Sequence, residues 1–399
     1  MKPAYIPRPM YFDKVKPFIG KSLIKVFTGQ RRVGKSFLMY QVMNEMDDDV
    51  NIIYIDKEDY AFDSIKDYRN LIEYIESNRR GTKNAIFIDE IQDIEDFEKA
   101  LRSLYKQPDM DIYITGSNAK MLSGELATYL SGRYIEVQVH SLSYKEYLTF
   151  NKIDDPDAIS FNNYLKYGGL PNLIHLDFED NVLFDYLRNI SETIIYRDII
   201  RRNNIRNVAF LEKLMRYLAD NLGSLVSAKK IADFLKSQRV SISPNSVLDY
   251  LKYLNDSFVA QKVQRQDIEG KKIFEIGEKY YFEDLGIRNA LVGYRINDIQ
   301  KLLENVVYKH LKICGYEVRT GVDGNKEIDF IAIKNNEKIY IQVCYLLESE
   351  KTMEREFGNL LKVQDQYPKY VLSMSDFESK NTYQGIIHKR VPDFLLSFE

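Results

Sequence analysis

Lys35 and Ser36 close the octapeptide GQRRVGKS, in which glycines stand at positions 29 and 34. These residue types at this spacing suit phosphate chemistry. Successive backbone N–H groups at the mouth of a helix can surround an anion, and Gly29 and Gly34 permit the backbone angles this requires. In that geometry the Lys35 ammonium reaches the β- and γ-phosphates of a nucleotide as a point charge, while the Ser36 hydroxyl can ligate Mg²⁺. Gln30, Arg31, Arg32, Val33 and Phe37 complete the stretch expected to line the nucleotide.

A metal-assisted phosphate site also needs a carboxylate at the end of a neighbouring buried strand, and AIFIDE supplies one 54 residues after the lysine. Asp89 is expected to hold Mg²⁺ through water, and Glu90 to orient or deprotonate the attacking water. A third stretch, ITGSN, ends another strand in small polar residues, so Ser117 or Asn118 is expected to sense the γ-phosphate or hold the lytic water. An arginine is needed against the developing charge. Arg133, in LSGRYIEV, is the first candidate, followed by Arg197 and Arg201 in YRDIIRR.

The elements that must position these residues follow from hydrophobic period. Between Ser22 and Val139, short apolar runs (LIKVFT, NIIYID, AIFIDE, DIYITG, YIEVQV) alternate with amphipathic helical stretches, the pattern of a parallel sheet with crossover connections. Helical periodicity then dominates to about Tyr217, broken by YGGLPN, where Gly168, Gly169 and Pro171 mark a sharp turn. The segment from Ser227 reads as helix, turn, Pro-started helix and strand, with KIFEI and KYYFED as hairpin partners, the element order of a winged helix. After Gly293 a helix precedes three strands, YEVRTG, EIDFIAIK and KIYIQVCYLL. The division expected is therefore 1–142 for the phosphate-binding domain, 143–220 for a helical connector, 221–292 for a winged-helix-like domain, and 293–399 for a last α/β domain.

Composition bounds the partners. The 399 residues carry a formal net charge of -3, so no global field draws the chain to nucleic acid or to an anionic membrane. Between Ile195 and Val240, however, ten Lys or Arg (197, 201, 202, 206, 213, 216, 229, 230, 236, 239) oppose four acids (198, 212, 220, 233), a net of +6. That is the local footprint of a DNA contact. The following helix, SPNSVLDYLKYL, is poor in the side chains that read bases, so a protein partner or interdomain packing fits the region as well. Two cysteines without metal spacing suit a reducing, cytoplasmic setting, and no apolar run is long enough to span a bilayer.

Taken together, GQRRVGKS, IFIDEIQ, TGSNA, LSGRYIEV, LSYKEYL, YGGLP, YRDI, YYFEDLGIRNA, LLENVVY, EIDFIA and YIQVCY span nearly the whole chain. On these motifs the sequence resembles a family of prokaryotic AAA-type P-loop ATPases, related to the archaeal ATPase and STAND groups, with a C-terminal domain of unknown function. The resemblance implies an α/β fold, ATP and Mg²⁺, and the roles given to Lys35, Ser36, Asp89 and Glu90. The last domain resembles the restriction-endonuclease-like fold, whose metal site takes an acid from the first helix, an Asp from one strand and E-x-K from the next. Glu304, Asp329 and Gln342 stand in those places, with Cys344 where the lysine belongs, so the site looks vestigial. The reading expected is an ATPase acting as a nucleotide-driven regulatory switch; the alternative is a DNA-binding ATPase with a degenerate nuclease domain.

Overall fold

All five residues of β1 (Ile24–Thr28) and all six of β3 (Asn84–Asp89) are buried, as strands covered on both faces of a parallel sheet must be. With β2 (Asn51–Asp56), β4 (Met110–Gly116) and β5 (Tyr134–Gln138) they form a five-stranded sheet in the order β2-β3-β4-β1-β5, every pair parallel. The structure is a computed structural model that describes residues 5–122, 130–205, 207–240, 242–268, 273–324, 326–376 and 382–398. Its two compact units are residues 1–140 with 256–258, and residues 141–255 with 259–399.

In the first unit, α1 (Pro9–Val15) precedes β1, and α2 (Lys35–Asn44), α3 (Tyr68–Asn78) and α4 (Phe97–Leu104) follow β1, β2 and β3 in turn. Asp67 caps α3 by accepting from the amides of Arg69 and Asn70. One side of the sheet buries Ile24, Val26, Ile55, Ile86, Ile88 and Ile114 together with Leu71, Ile75 and Leu101 of α3 and α4. Because all strands run the same way, their carboxyl ends, at Thr28, Asp56, Asp89, Gly116 and Gln138, lie along one edge. Ligands bind at that edge in open parallel sheets, and three of the five strand ends, at Thr28, Asp89 and Gly116, lead directly into the stretches singled out by residue chemistry.

The second unit begins with helices α5 (Tyr144–Phe150), α6 (Ala158–Tyr167) and α7 (Asp180–Thr193), the last running on as a π-helix over Ile194–Arg201. Then come α8 (Val208–Asp220), α9 (Ala228–Ser237), α10 (Pro244–Asp256), β6 (Ala260–Asp267), β7 (Ile273–Phe282), α11 (Leu285–Val292) and α12 (Ile299–Ile313). The chain ends with β8 (Glu317–Asp323), β9 (Lys326–Lys334), β10 (Glu337–Val343), α13 (Glu350–Leu361), β11 (Lys369–Ser373), β12 (Thr382–Tyr383), β13 (Ile386–Arg390) and α14 (Val391–Ser397). Among the described residues of the second unit, β6 to β13 form one mixed sheet, β12-β13-β11-β10-β9-β8-β6-β7.

One expectation changes here. Residues 273–276 of KIFEI and 279–282 of KYYFED lie on one strand, β7, which pairs antiparallel with β6 as a hairpin partner and carries Gly277 at φ +80° near the register shift. The expected borders 220/221 and 292/293 are not borders between compact units, because β6 also pairs with β8 through Arg265–Asp267 and joins the two expected domains in one sheet. The YGGLP and FEDLG motifs explain each other in the same unit. The buried Asp284 carboxylate accepts from the amides of Gly169 at 2.8 Å and Gly286 at 2.9 Å, and a Cβ added at Gly286 would come within 2.0 Å of the Tyr167 carbonyl. Their role is to close this turn around a buried acid.

Candidate functional site

The loop between β1 and α2 takes its shape from three positive φ angles. Gly29 has φ +140° and lies so close to the following strand end that a Cβ there would meet Val139 O at 2.1 Å. Arg32 has φ 70°, and Gly34 turns the chain into α2 with φ 98°. Only glycine meets the demand at the first and third places without strain. The helix so launched presents its unpaired N-terminal amides to the concavity.

Lys35 folds back into this loop. Its buried ammonium donates to the carbonyls of Gly29 and Gln30, both at 3.1 Å, and lies 3.8 Å from Glu90 Oε1. Ser36 donates to Asp89, and this bond, with that from Thr115 Oγ1, counteracts the burial and the neighbouring Glu90 charge that push the Asp89 carboxyl up to about 6. Burial is the larger cause. A cation beside Asp89 would favour the ionised form.

Glu90 stands where β3 ends, in the left-handed region at φ 54°, ψ 50°, a conformation that costs a non-glycine residue of order 1 kcal/mol or more. Its backbone N–H donates to Thr115 Oγ1 at 2.9 Å, and the same hydroxyl donates to Asp89 Oδ1. The Glu90 carboxylate accepts from Ser117 Oγ at 3.1 Å and from Gln92 Nε2. Two acids with different partners thus sit side by side, one bonded to the helix-start serine and the other facing the lysine.

Lys35, Ser36, Asp89, Glu90 and Ser117 are brought together at one sheet edge. Asn118 is buried directly after Ser117, and its carbonyl accepts from the Met121 amide at 3.1 Å. Val33 is buried beneath the loop. Gln30 is buried as well, and its side-chain N and O have no hydrogen-bond partner among the described residues. Arg31 pairs with Glu58 at 2.5 Å, Arg32 is exposed, and Phe37 is 47% exposed and T-shaped against Tyr40.

Arg133 does not stand with these residues. It precedes β5, and its carbonyl accepts from the Ile24 amide at the amino end of β1. The phosphate loop leaves the other end of that five-residue strand, about 16 Å away at roughly 3.3 Å per residue. Arg133 therefore does not reach its own chain's phosphate loop; its guanidinium lies over the Tyr105 ring, 5.3 Å from the centroid. Arg197 and Arg201 belong to the second unit, and Arg206 of the basic segment lies outside the described residues.

Residue chemistry alone missed Thr115 and Gln92. The signal for Thr115 was present, since a hydroxyl in the buried strand YITG needs a partner, and the ends of β3 and β4 are neighbours. For Mg²⁺ the donor set fits: a serine hydroxyl and one carboxylate are hard oxygen ligands of the kind that ion takes alongside substrate phosphates. Among the described residues, no group of three or more His, Cys, Asp or Glu is arranged to hold a metal ion by itself.

The C-terminal candidates also converge. Glu304 of α12 accepts from Tyr281 Oη at 3.3 Å and from Gln300 Nε2 at 3.2 Å. Asp329 of β9 accepts from the Val343 amide at 2.9 Å, and Gln342 Oε1 of β10 accepts from the Asp329 amide at 3.3 Å. Lys279, which the sequence reading passed over, enters from β7, pairs with Glu327 at 2.6 Å and lies 3.8 Å from Asp329. Burial holds the Glu304 and Asp329 carboxyls above their ordinary range, while the surrounding acids keep the Lys279 ammonium charged. Cys344 is buried and its thiol is pushed up to about 12, mainly by that burial; both cysteines are free thiols. No helix among the described residues is long and apolar enough to cross a membrane.

Residues 21–148 match the family described as AAA domain, and residues 159–298 match a domain of unknown function, DUF8612. A solved Walker-type ATPase of Pyrococcus abyssi, Paby2304, superposes with a TM-score of 0.52 over 72% of this chain and 96% of its own, at 16% identity, a likeness of fold. An uncharacterized protein of Methanocaldococcus jannaschii, MJ1544, is 32% identical over 84% of this chain and 77% of its own. An uncharacterized protein of Haemophilus influenzae is 35% identical over 99% of this chain and all of its own. The chain belongs to the family of that Haemophilus influenzae protein, and its first unit is an AAA-type P-loop ATPase domain.

Proposed function

We propose that the chain is a Mg²⁺-dependent ATPase whose hydrolytic cycle serves as a regulatory switch. The observation that carries the reading is the meeting of Lys35, Ser36, Asp89 and Glu90 at the carboxyl edge of one parallel sheet. Bound Mg²⁺ would neutralise charge on the phosphate oxygens, with Ser36 and Asp89 as its protein ligands. Lys35 trades its loop carbonyls for the β- and γ-phosphate oxygens. Glu90, held by Ser117 and Gln92, orients the attacking water and takes up its proton, and Asn118 follows the γ-phosphate. Arg133 would serve a terminal phosphate only on a neighbouring copy of the chain.

The finer reading of the second unit rests on element order. The succession α8, α9, α10, β6, β7 supports a winged-helix-like arrangement. Exposed cations on it, Lys213, Arg216, Lys229, Lys230, Lys236 and Arg239, favour the second reading, a DNA-directed ATPase that grips phosphates. Helix α12, the antiparallel run β8-β9-β10, helix α13 and β11 parallel to β10 support the endonuclease-like resemblance. Yet Gln342 is neutral and the Lys279 ammonium already lies between Glu327 and Asp329, so we assign this cluster to holding the domain together, without strand cleavage.

Steady-state ATP hydrolysis with Mg²⁺, for the wild type and Glu90→Gln, with and without duplex DNA, tests the reading. Hydrolysis lost at least a hundredfold in Glu90→Gln with ATP still bound is expected. Slow turnover with ADP carried through purification fits the switch, whereas DNA-stimulated turnover that fades steeply with salt fits the alternative. An unimpaired Glu90→Gln rate would remove the proposed mechanism.

A further inference from the structure

The phosphate loop is also held from outside, by a residue far away in sequence. Arg8, the residue before α1, is buried with 4% of its surface exposed. Its Nη1 donates to the carbonyl of Val33 at 2.8 Å, and its Nη2 donates to the carbonyl of His140 at 3.0 Å. The guanidinium stacks on the Tyr11 ring, 4.4 Å from the centroid, and the Arg8 backbone N–H donates to Gln41 Oε1 of α2 at 3.1 Å. Tyr11 in turn accepts from the His140 amide at 3.1 Å through its hydroxyl. One arginine thus spans the phosphate loop, the helix it launches and the chain leaving β5.

The bond to Val33 O has a geometric consequence. A trans peptide is planar, and its C=O and N–H point in opposite directions; the Val33–Gly34 bond is trans. Fixing the Val33 carbonyl toward Arg8 therefore fixes the Gly34 N–H away from Arg8. Gly34 immediately precedes Lys35, and its amide is one of the donors that an anion at the start of α2 would use. A glycine can rotate this peptide plane at little cost, so the plane needs an external hold.

We propose that Arg8 is a positioning residue for the nucleotide: through the Val33 carbonyl it aims the Gly34 amide at the phosphates before they arrive. This rests on the phosphate-loop reading of Proposed function and goes beyond it, because Arg8 lies outside the motifs that define that loop. Arginine is required by the geometry, since two carbonyls on different segments are bridged by one rigid planar fork, which a lysine ammonium cannot reproduce.

The test compares wild type, Arg8→Ala and Arg8→Lys, with Lys35→Ala as the reference for the site. MgATP affinity by titration, KM and kcat for hydrolysis, and thermal unfolding without nucleotide are measured for each. Arg8→Ala is expected to bind MgATP at least tenfold more weakly, with KM rising by a similar factor and kcat within threefold of wild type; Arg8→Lys should recover part of the affinity. A purely structural role would lower the melting temperature and leave the affinity of the folded protein alone. Affinity within twofold of wild type in Arg8→Ala overturns the proposal, and should that variant fail to fold, affinity within twofold in Arg8→Lys does so. Tight binding in Lys35→Ala would instead overturn the phosphate-loop reading itself, and the proposal with it.

Discussion

Ser117 Oγ donates to the Glu90 carboxylate at 3.1 Å, so the end of β4 sets the direction of the acid that ends β3. Ser117→Ala removes that donor and leaves Gln92 Nε2 to hold the carboxylate. A hydrogen bond to a charged group contributes about 1.5 to 3 kcal/mol, and the larger part of it here acts on orientation. We expect kcat to fall about tenfold, equivalent to about 1.4 kcal/mol in the barrier, with KM within threefold of wild type. Steady-state kinetics check this; a KM effect alone would place Ser117 in binding instead.

Lys279 supplies a positive charge among Glu304, Glu327 and Asp329. Lys279→Met leaves those buried carboxylates without it, a change that costs about 3 to 5 kcal/mol where a buried pair is broken. Urea unfolding should show the loss at pH 7.5 and a smaller loss at pH 5, because burial raises the Glu304 and Asp329 carboxyls and a lower pH favours their neutral forms. A loss that does not change with pH would contradict the charge role. Asp329→Asn placed on the Lys279→Met background should restore part of the stability.

His388 of β13 is buried, shares a hydrogen bond of 2.8 Å between its Nε2 and Ser373 Oγ of β11, and is held below its ordinary pKa, chiefly by burial. The unfolded chain therefore binds this proton more tightly than the folded one, and linkage lowers stability as pH falls. The contribution is fully present above the unfolded value of about 6.5 and is lost as pH drops through the lower folded value. Wild type should lose more stability between pH 7.5 and 5.5 than His388→Gln does. Equal losses in urea melts at the two pH values would contradict this.

Much of the first unit was legible in the sequence, because its strands are buried on both faces and read as short apolar runs, and because the phosphate loop needs glycine where few other residues fit. Ser36, Asp89 and Glu90 could be placed since a parallel sheet aligns its carboxyl ends. Arg133 was set beside the phosphates although it directly precedes the strand YIEVQV, and the amino ends of a parallel sheet lie opposite its carboxyl edge. Arg8 was hidden for a different reason. It acts through backbone carbonyls of distant segments, and carbonyls leave no mark on residue type. In the second unit, the pairing of β6 with β7 was legible but that of β6 with β8 was not, because a winged-helix hairpin and a strand pair extending a larger sheet share one local pattern. Lys279 was missed because its partners lie 25 to 50 residues downstream on two other elements.

The central claim is that the loop amides, Lys35 and the acid at the end of β3 converge on the phosphates of a nucleotide. Isothermal titration of MgATP into wild type and Lys35→Ala tests it most directly. The account predicts saturable binding to the wild type and a loss of at least a hundredfold in affinity for Lys35→Ala, with both proteins equally folded by circular dichroism. Equal affinity in the two proteins would contradict it.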